Sequence, residues 1–244
     1  MRTIQVSTDT KIAVVGDVHE HSRQFLEIWK QCPISDKFRF VSVGDLFDKG
    51  FGSQEVEKIL EVLRPQIERG HADLLQGNHE IKHIKKAKAA KRLTPMLNWI
   101  AEQPLALSFL FPNSTRLTIV HGGVTPLTTW QDLGSEIETS YVRTIDEQGK
   151  MIQLQWISQN GRQILAPRKI GVNWHDLYDG RFGYVASGHA AQKDGVPKFY
   201  QYSCNLDTSV YTTGILTCQV FGANGREELI TATGPARKPE LWKV

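Results

Sequence analysis

Cysteine is scarce in this chain and does not pair by spacing. Cys32, Cys204 and Cys218 are odd in number and show no CxxC motif, which argues against a disulfide framework or a zinc ribbon and leaves them as buried small hydrophobes. No run of residues approaches the ~18 to 20 consecutive apolar positions that a membrane helix needs, and the amino terminus, MRTIQVSTDTK, lacks the apolar core of a secretory signal. No membrane partner is expected, and the expected compartment is the cytoplasm. Excess charge is small as well: 29 lysines and arginines against 26 aspartates and glutamates leave a net +3, too mild by itself to announce a nucleic-acid-binding protein. Internal repeats and low-complexity tracts are missing too.

What remains is an ordinary globular composition over 244 residues, 40% hydrophobic, 9% aromatic and 23% charged, enough to bury a sizeable core. The first third alternates β-branched runs with amphipathic stretches. Ile12 to Val15 reads as a strand ending in Gly16-Asp17, and Ser22 to Cys32 as a helix with Phe25, Leu26, Ile28 and Trp29 on one period. Phe38 to Val43 and Ser53 to Glu68 repeat the pattern, and Asp73 to Leu75 runs into Gly77-Asn78 and a lysine-rich, alanine-rich helix. Leu105 to Phe111 and Arg116 to Val120 flank a turn cluster, Pro-Asn-Ser-Thr. The stretch from Thr125 to Tyr178 is polar and reads as long loops with short pieces of helix or strand. Tyr184 to Ser187, Lys198 to Tyr202, Gly214 to Phe221 and Glu227 to Ile230 suggest an antiparallel meander. The expected fold is α/β, with mixed β-sheets packed as a sandwich core flanked by helices. A single domain over residues 1–233 and a tail over 234–244 are expected.

In such folds ligands bind beyond the carboxyl ends of parallel strands, and each of the first three strands ends in a polar block: GDVH at 16–19, GDLFD at 44–48 and GNHE at 77–80. Asp17 and His19, two apart on extended chain, point the same way. Asp45 follows Asp17 by 28 residues and Asn78 follows Asp45 by 33, each about one βαβ unit of ~30 residues. Later apolar runs end in His121-Gly-Gly and Ser-Gly-His189. Carboxylate, imidazole and amide oxygen together suit Mn, Fe, Zn or Mg, and one aspartate bridging two ions serves the ~3.5 to 4 Å two-metal arrangement of phosphoester hydrolysis.

These blocks, GDVHE, GDLFDKG, GNHE, HGG and GHA in that order, resemble the calcineurin-like metallophosphoesterases, of the type that includes phosphoprotein phosphatases and dinucleoside tetraphosphatases. The resemblance runs from residue 16 to 189 and extends to NLDTSVYTTGILT at 205–217. It implies a metallophosphatase-like αββα fold and two divalent metal ions, with manganese favoured. Asp17, His19 and Asp45 would hold the first, and Asp45, Asn78, His121 and His189 the second. It further implies His79 as the general acid, oriented by Asp48, and phosphate binding by Lys49, Asn78 and Arg143. The activity implied is hydrolysis of phosphomonoesters, as in Ser/Thr protein phosphatases, by in-line attack of a metal-bridging hydroxide. The phosphorylated substrate would be a phosphoprotein or, alternatively, a dinucleoside tetraphosphate, a nucleotide or an RNA end; a non-catalytic metal-binding scaffold is the rival of another class.

Two positions depart from the family's pattern. Glu20 stands where GDxHG has glycine, and Lys49 where DRG has arginine, which keeps the positive charge but loses bidentate recognition of phosphate. His21, His71, His83 and His175 stand outside the motifs and read as ordinary surface or loop residues, with His21 the first exception to look for. The basic run Lys82, Lys85, Lys86, Lys88, Lys91 and Arg92 is a solvated helix face or a lure for polyanionic substrates. The aromatic stretch Trp174 to Tyr184 is equally core or substrate wall.

Overall fold

The computed structural model describes residues 1–135, 139–159 and 162–237. The chain runs β1 (Arg2–Gln5), β2 (Lys11–Val15), α1 (Ser22–Gln31), β3 (Phe38–Ser42), α2 (Ser53–Glu68), β4 (Ala72–Leu74), α3 (Asn78–Ala89), α4 (Pro95–Ala101), β5 (Ala106–Leu110) and β6 (Arg116–Val120). It continues through β7 (Thr144–Ile145), β8 (Leu154–Gln159), β9 (Arg162–Pro167), β10 (Val172–Asn173), α5 (Trp174–Leu177), β11 (Tyr184–Ser187), β12 (Lys198–Phe199), β13 (Ser203–Asn205), α6 (Val210–Thr213), β14 (Ile215–Gly222) and β15 (Gly225–Thr233). Two mixed sheets form the core, ordered β15-β14-β2-β3-β4 and β1-β5-β6-β11-β13-β12; β7 with β10 and β8 with β9 make two small ribbons.

Side-chain alternation along β2 builds the layers. Ile12 and Val14 enter the seam between the sheets with Val41, Phe109 and Ile119, while Ala13 and Val15 face the opposite way, under α1 and α2, with Phe25, Ile28 and Ile59. A β2 buried on both faces has to be apolar throughout, and it is. The outer face of the second sheet is covered by the segment carrying Val124, Val142, Trp174 and Phe182.

The βαβ reading of the first third holds, with α2 over the residues expected. The late antiparallel meander does not. β11 pairs β13 in parallel, with β12 antiparallel on its far side, whereas β14 and β15 form a hairpin in the other sheet, β14 lying against β2. Local alternation reports a half-buried strand but not the sheet it joins, and the chain changes sheets between β13 and β14. Several elements escaped the sequence reading, β1, α4, β13 and α6 among them. β1 pairs β5 in parallel, and α4 starts on a Thr94 side chain that accepts from Leu97 N–H, followed by proline at the first helical position, a start signal readable from sequence.

Of the expected tail, residues 234–237 are tied down: Gly234 N–H donates to the Gly214 carbonyl, Arg237 N–H to that of Tyr211, and Gln24 Nε2 to that of Pro235. Residues 238–244 of that tail lie outside the described residues. Among the described residues no helix is long and apolar enough to cross a membrane. All three cysteines are buried and free.

The aromatic stretch is core: Trp174, Tyr178 and Phe182 pack beneath the second sheet. His175 is not a surface residue. It is stacked between Trp174 and Tyr200 at centroid distances of 3.7 and 4.4 Å, with Nδ1 2.8 Å from Ser203 Oγ. Burial pushes its imidazole down to about 3. Because the unfolded chain binds a proton at His175 below the ordinary value of ~6.5 while the folded chain does not, stability falls as pH drops from about 6.5 toward 3. Urea titrations across that range are expected to show a shallower decline for His175→Gln than for the native chain; parallel declines would contradict it.

Candidate metal centre

All five motif blocks lie on one edge. β2, β3 and β4 lead into Asp17, Asp45 and Asn78 from the first sheet, and β6 and β11 lead into His121 and His189 from the second. The carboxyl ends of parallel strands thus supply every candidate ligand. The turns are tight. His19, Asp45 and His189 hold φ of 43°, 52° and 68°, left-handed values that non-glycine residues keep only when their surroundings hold them. Here backbone bonds do so: His19 N–H donates to the Asp45 carbonyl at 2.8 Å, and His189 N–H to Asp17 Oδ1 at 3.0 Å. Gly188 admits Asp17, since a Cβ there would stand 1.9 Å from Asp17 Oδ1.

Asp45 is central. Its Oδ2 lies 3.8 Å from both His19 Nε2 and His79 Nε2, and its Oδ1 3.3 Å from His121 Nε2. Two groups of potential ligand atoms share it, His19 with His79 and His121 with His189. Asp17 Oδ2 is 3.8 Å from His19 Nε2, and Asn78 Oδ1 3.1 Å from His121 Nε2. His19 Nδ1 faces the Phe47 carbonyl and His121 Nδ1 the Val43 carbonyl, both at 2.9 Å. Carbonyls only accept, so both Nδ1 atoms carry hydrogen and both Nε2 atoms are turned toward carboxylates, the orientation that backbone carbonyls impose on metal-ligating histidines. His189 Nδ1 is buried without a hydrogen-bond partner. Carboxylate oxygens and imidazole nitrogens gathered this closely are the ligand types that divalent cations take.

The electrostatics reflect how closely these groups are crowded. Burial opposes charge on every group here, yet His121, His79 and His19 hold Asp45 well below the usual carboxylate range. Burial and then the neighbouring Asp207 drive Asp17 up. His121, despite its burial, is pushed up to about 9 by Asp45, Asp17 and Glu80. Burial and the Lys49 ammonium keep His19 well below its ordinary value, and burial with Arg143 does so for His189.

The remaining expected residues converge on the same place. His79 Nδ1 donates to Asp48 Oδ2 at 2.6 Å. Lys49 Nζ is 3.2 Å from His19 Nε2 and 4.6 Å from the centre of the Tyr211 ring, and Arg143 Nε donates to His189 Nε2 at 2.8 Å. Sequence reasoning missed four residues. Glu80 is fully buried, accepting from Asp45 N–H and Leu46 N–H at 2.7 Å and from Gly77 N–H at 2.8 Å; its place three residues after Gly77 is a capping-box signal. Asp207 is buried beside Asp17. His83, read as surface, donates from Nε2 to Asp48 Oδ1 at 2.9 Å, and Lys82 Nζ lies 3.0 Å from Oδ2. These three donors outweigh burial and hold the Asp48 carboxyl well below its ordinary range. His21 is buried, its Nδ1 donating to the His19 carbonyl, whereas His71 pairs with exposed Asp36 as a surface residue does.

Two packed mixed sheets whose strand ends gather carboxylates, imidazoles and an amide on one shared aspartate define a metallophosphoesterase. The chain belongs to the calcineurin-like phosphoesterases, whose sequence profile matches residues 10–211, a family that implies divalent metals. It is 27% identical over 158 residues to the serine/threonine-protein phosphatase 4 catalytic subunit of Saccharomyces cerevisiae, covering 61% of this chain and 49% of that one. It is 26% identical over 208 residues to serine/threonine-protein phosphatase T of Aspergillus oryzae, covering 80% and 41%. The chain therefore spans about half the length, or less, of these relatives. Among solved structures, one provisionally assigned as a diadenosine tetraphosphatase matches with a TM-score of 0.67 at 20% identity, over 96% of this chain and 98% of that chain. A protein serine/threonine phosphatase from Saccharomyces cerevisiae matches with a TM-score of 0.54 at 18% identity, over 97% and 85%.

Asp45→Asn is expected to weaken Mn binding by about 100-fold or more at one position at least, while a surface control, Asp36→Asn, binds as the native chain does. Equilibrium dialysis with metal analysis of the retained protein measures both.

Proposed function

We propose that this chain is a dinuclear metal-dependent phosphoesterase that hydrolyses phosphomonoesters in the manner of Ser/Thr protein phosphatases. The observation that carries the reading is Asp45, whose Oδ2 lies 3.8 Å from His19 Nε2 and whose Oδ1 lies 3.3 Å from His121 Nε2, with the imidazole of a His79–Asp48 pair 3.8 Å away. Asp17, His19 and Asp45 would hold one cation, and Asp45, Asn78, His121 and His189 the other; manganese is the metal proposed. Two such ions lower the pKa of water toward 7 and polarise the phosphoryl oxygens.

The chain's own residues do the rest. Asp48 is ionised and accepts from His79 Nδ1, which fixes the ring and turns Nε2 toward Asp45. His79 then gives the proton at Nε2 to the departing oxygen. Lys49 and Arg143 place two cations beside the ligands for the phosphate oxygens, Lys49 as a point charge and Arg143 as a fork, and Asn78 adds its amide. A binding scaffold without catalysis is disfavoured because the sequence keeps all six proposed ligand positions and the His79–Asp48 pair. The working unit proposed is residues 1–233, in a cytoplasmic setting that suits three free buried thiols.

One observation favours a second reading, a nucleotide, dinucleoside polyphosphate or RNA-end phosphatase. Lys82, Lys85, Lys86, Lys88, Lys91 and Arg92 are all exposed, and no carboxylate interrupts them from 81 to 92. Lys82 reaches Asp48, so this basic face starts at His79. Such a face raises the local concentration of polyanions.

His79→Asn is expected to slow an alkyl phosphate by about 100-fold or more and an aryl phosphate by less than about tenfold, because p-nitrophenolate needs little help from an acid; equal losses would remove His79 from the role of proton donor. For diadenosine tetraphosphate, kcat/KM is expected to fall about tenfold between about 50 and about 200 mM salt and to lose most of that dependence in Lys85→Ala/Lys86→Ala. A flat profile for the native chain would leave the phosphoprotein reading alone.

A further inference from the structure

Glu20 stands where the family's first motif has glycine, and its side chain has an occupation that the motif does not describe. Its backbone holds φ of 60°, a value glycine adopts without strain. The side chain is buried and turned to the loop after β3. Oε1 accepts from Asp48 N–H at 3.0 Å, and Oε2 accepts from Gly50 N–H at 3.2 Å and Gly52 N–H at 2.9 Å. The two segments touch so closely that a Cβ on Gly50 would stand 2.0 Å from the His19 carbonyl oxygen and 2.6 Å from Glu20 Cβ.

The loop needs such support. Asp48 and Lys49 both hold φ of 67°, two successive left-handed residues that a free loop would abandon. A carboxylate accepting three backbone N–H groups makes charge-assisted bonds, the stronger kind. What the loop carries is Asp48, which accepts from His79 Nδ1, and Lys49, whose Nζ lies beside His19.

We propose that Glu20 is a positioning residue, whose carboxylate fixes the 48–52 loop so that Asp48 orients His79 and Lys49 presents its ammonium to the substrate phosphate. It acts through the loop, with its own oxygens spent on Asp48, Gly50 and Gly52. The catalytic half of this inference rests on the phosphoesterase reading above; the bracing half does not.

Glu20→Gly suits the test because glycine fits φ of 60°, so the backbone is relieved while the carboxylate is removed; Glu20→Gln keeps the size and one accepting oxygen. In protein without added metal, amide hydrogen exchange at Asp48, Gly50 and Gly52 is expected to be about tenfold faster or more in Glu20→Gly. In Mn-loaded protein, kcat for a phosphoserine peptide falls about tenfold or more and its KM rises. kcat for p-nitrophenyl phosphate falls less than about threefold, Mn binding stays within about threefold, and Glu20→Gln recovers part of the loss. Unchanged exchange, or an equal fall on both substrates together with lost Mn binding, would overturn the proposal. If the native chain hydrolyses neither substrate, the phosphoesterase reading fails by itself, and the exchange rates decide the brace.

Discussion

Buried negative charge at the meeting edge of two sheets is the constraint on which the rest of this molecule depends. Asp17, Asp45, Glu80 and Asp207 are all nearly inaccessible to solvent and lie close enough to shift one another. Burying like charges together is costly unless each finds opposite charge or hydrogen-bond donors. Glu80 is met by three backbone N–H groups and Asp45 by three imidazoles. Lys49 and Arg143 bring cations to the same rim. A fold that gathers this many acceptors around one aspartate is built to hold cations, and the family to which the chain belongs implies divalent ones.

The second consequence is geometric. To aim side chains from five strand ends at one point, the backbone takes left-handed turns at His19, Glu20, Asp45, Asp48, Lys49 and His189. Carboxylates from elsewhere in the chain hold them. Glu80 ties the turn at Asp45 to the start of α3, Glu20 ties the loop at Asp48 to the turn after β2, and Asp17 ties the turn at His189 to the first sheet. Each brace joins segments distant in sequence, so the centre exists only once both sheets are assembled, and the same turns bring His79 and Asp48 beside Asp45.

Much of this was legible beforehand, for identifiable reasons. The five blocks were readable because turns that approach a cation need glycine beside the ligand, and such short strings stand out after apolar runs. Arg143, chosen by its place after the HGG block, does reach His189. Single histidines were less readable. His175 lies in an aromatic stack and His83 on Asp48, and neither is flanked by a pattern that would distinguish it from a surface residue. Glu80 sat inside a quoted motif without a role, since its work is bonding to backbone donors that have no sequence signature. The misassigned meander has a similar cause: β13 and β14 are neighbours in sequence but belong to different sheets, and side-chain alternation looks the same in both.

The sequence by itself determined the first three strand–helix pairs, the identity of the candidate ligands and the carboxyl-edge rule that brings them together, because these rest on periodicity and on residue chemistry close in the chain. Only the tertiary structure decided that β14 returns to β2, that Glu20 and Glu80 brace the turns, that Asp48 has three donors and that Lys49 and Arg143 reach the ligands. Those facts depend on contacts between segments from 28 residues apart (Glu20 to Asp48) to 209 apart (Ile12 to Phe221), and such contacts arise only when the chain closes on a shared core.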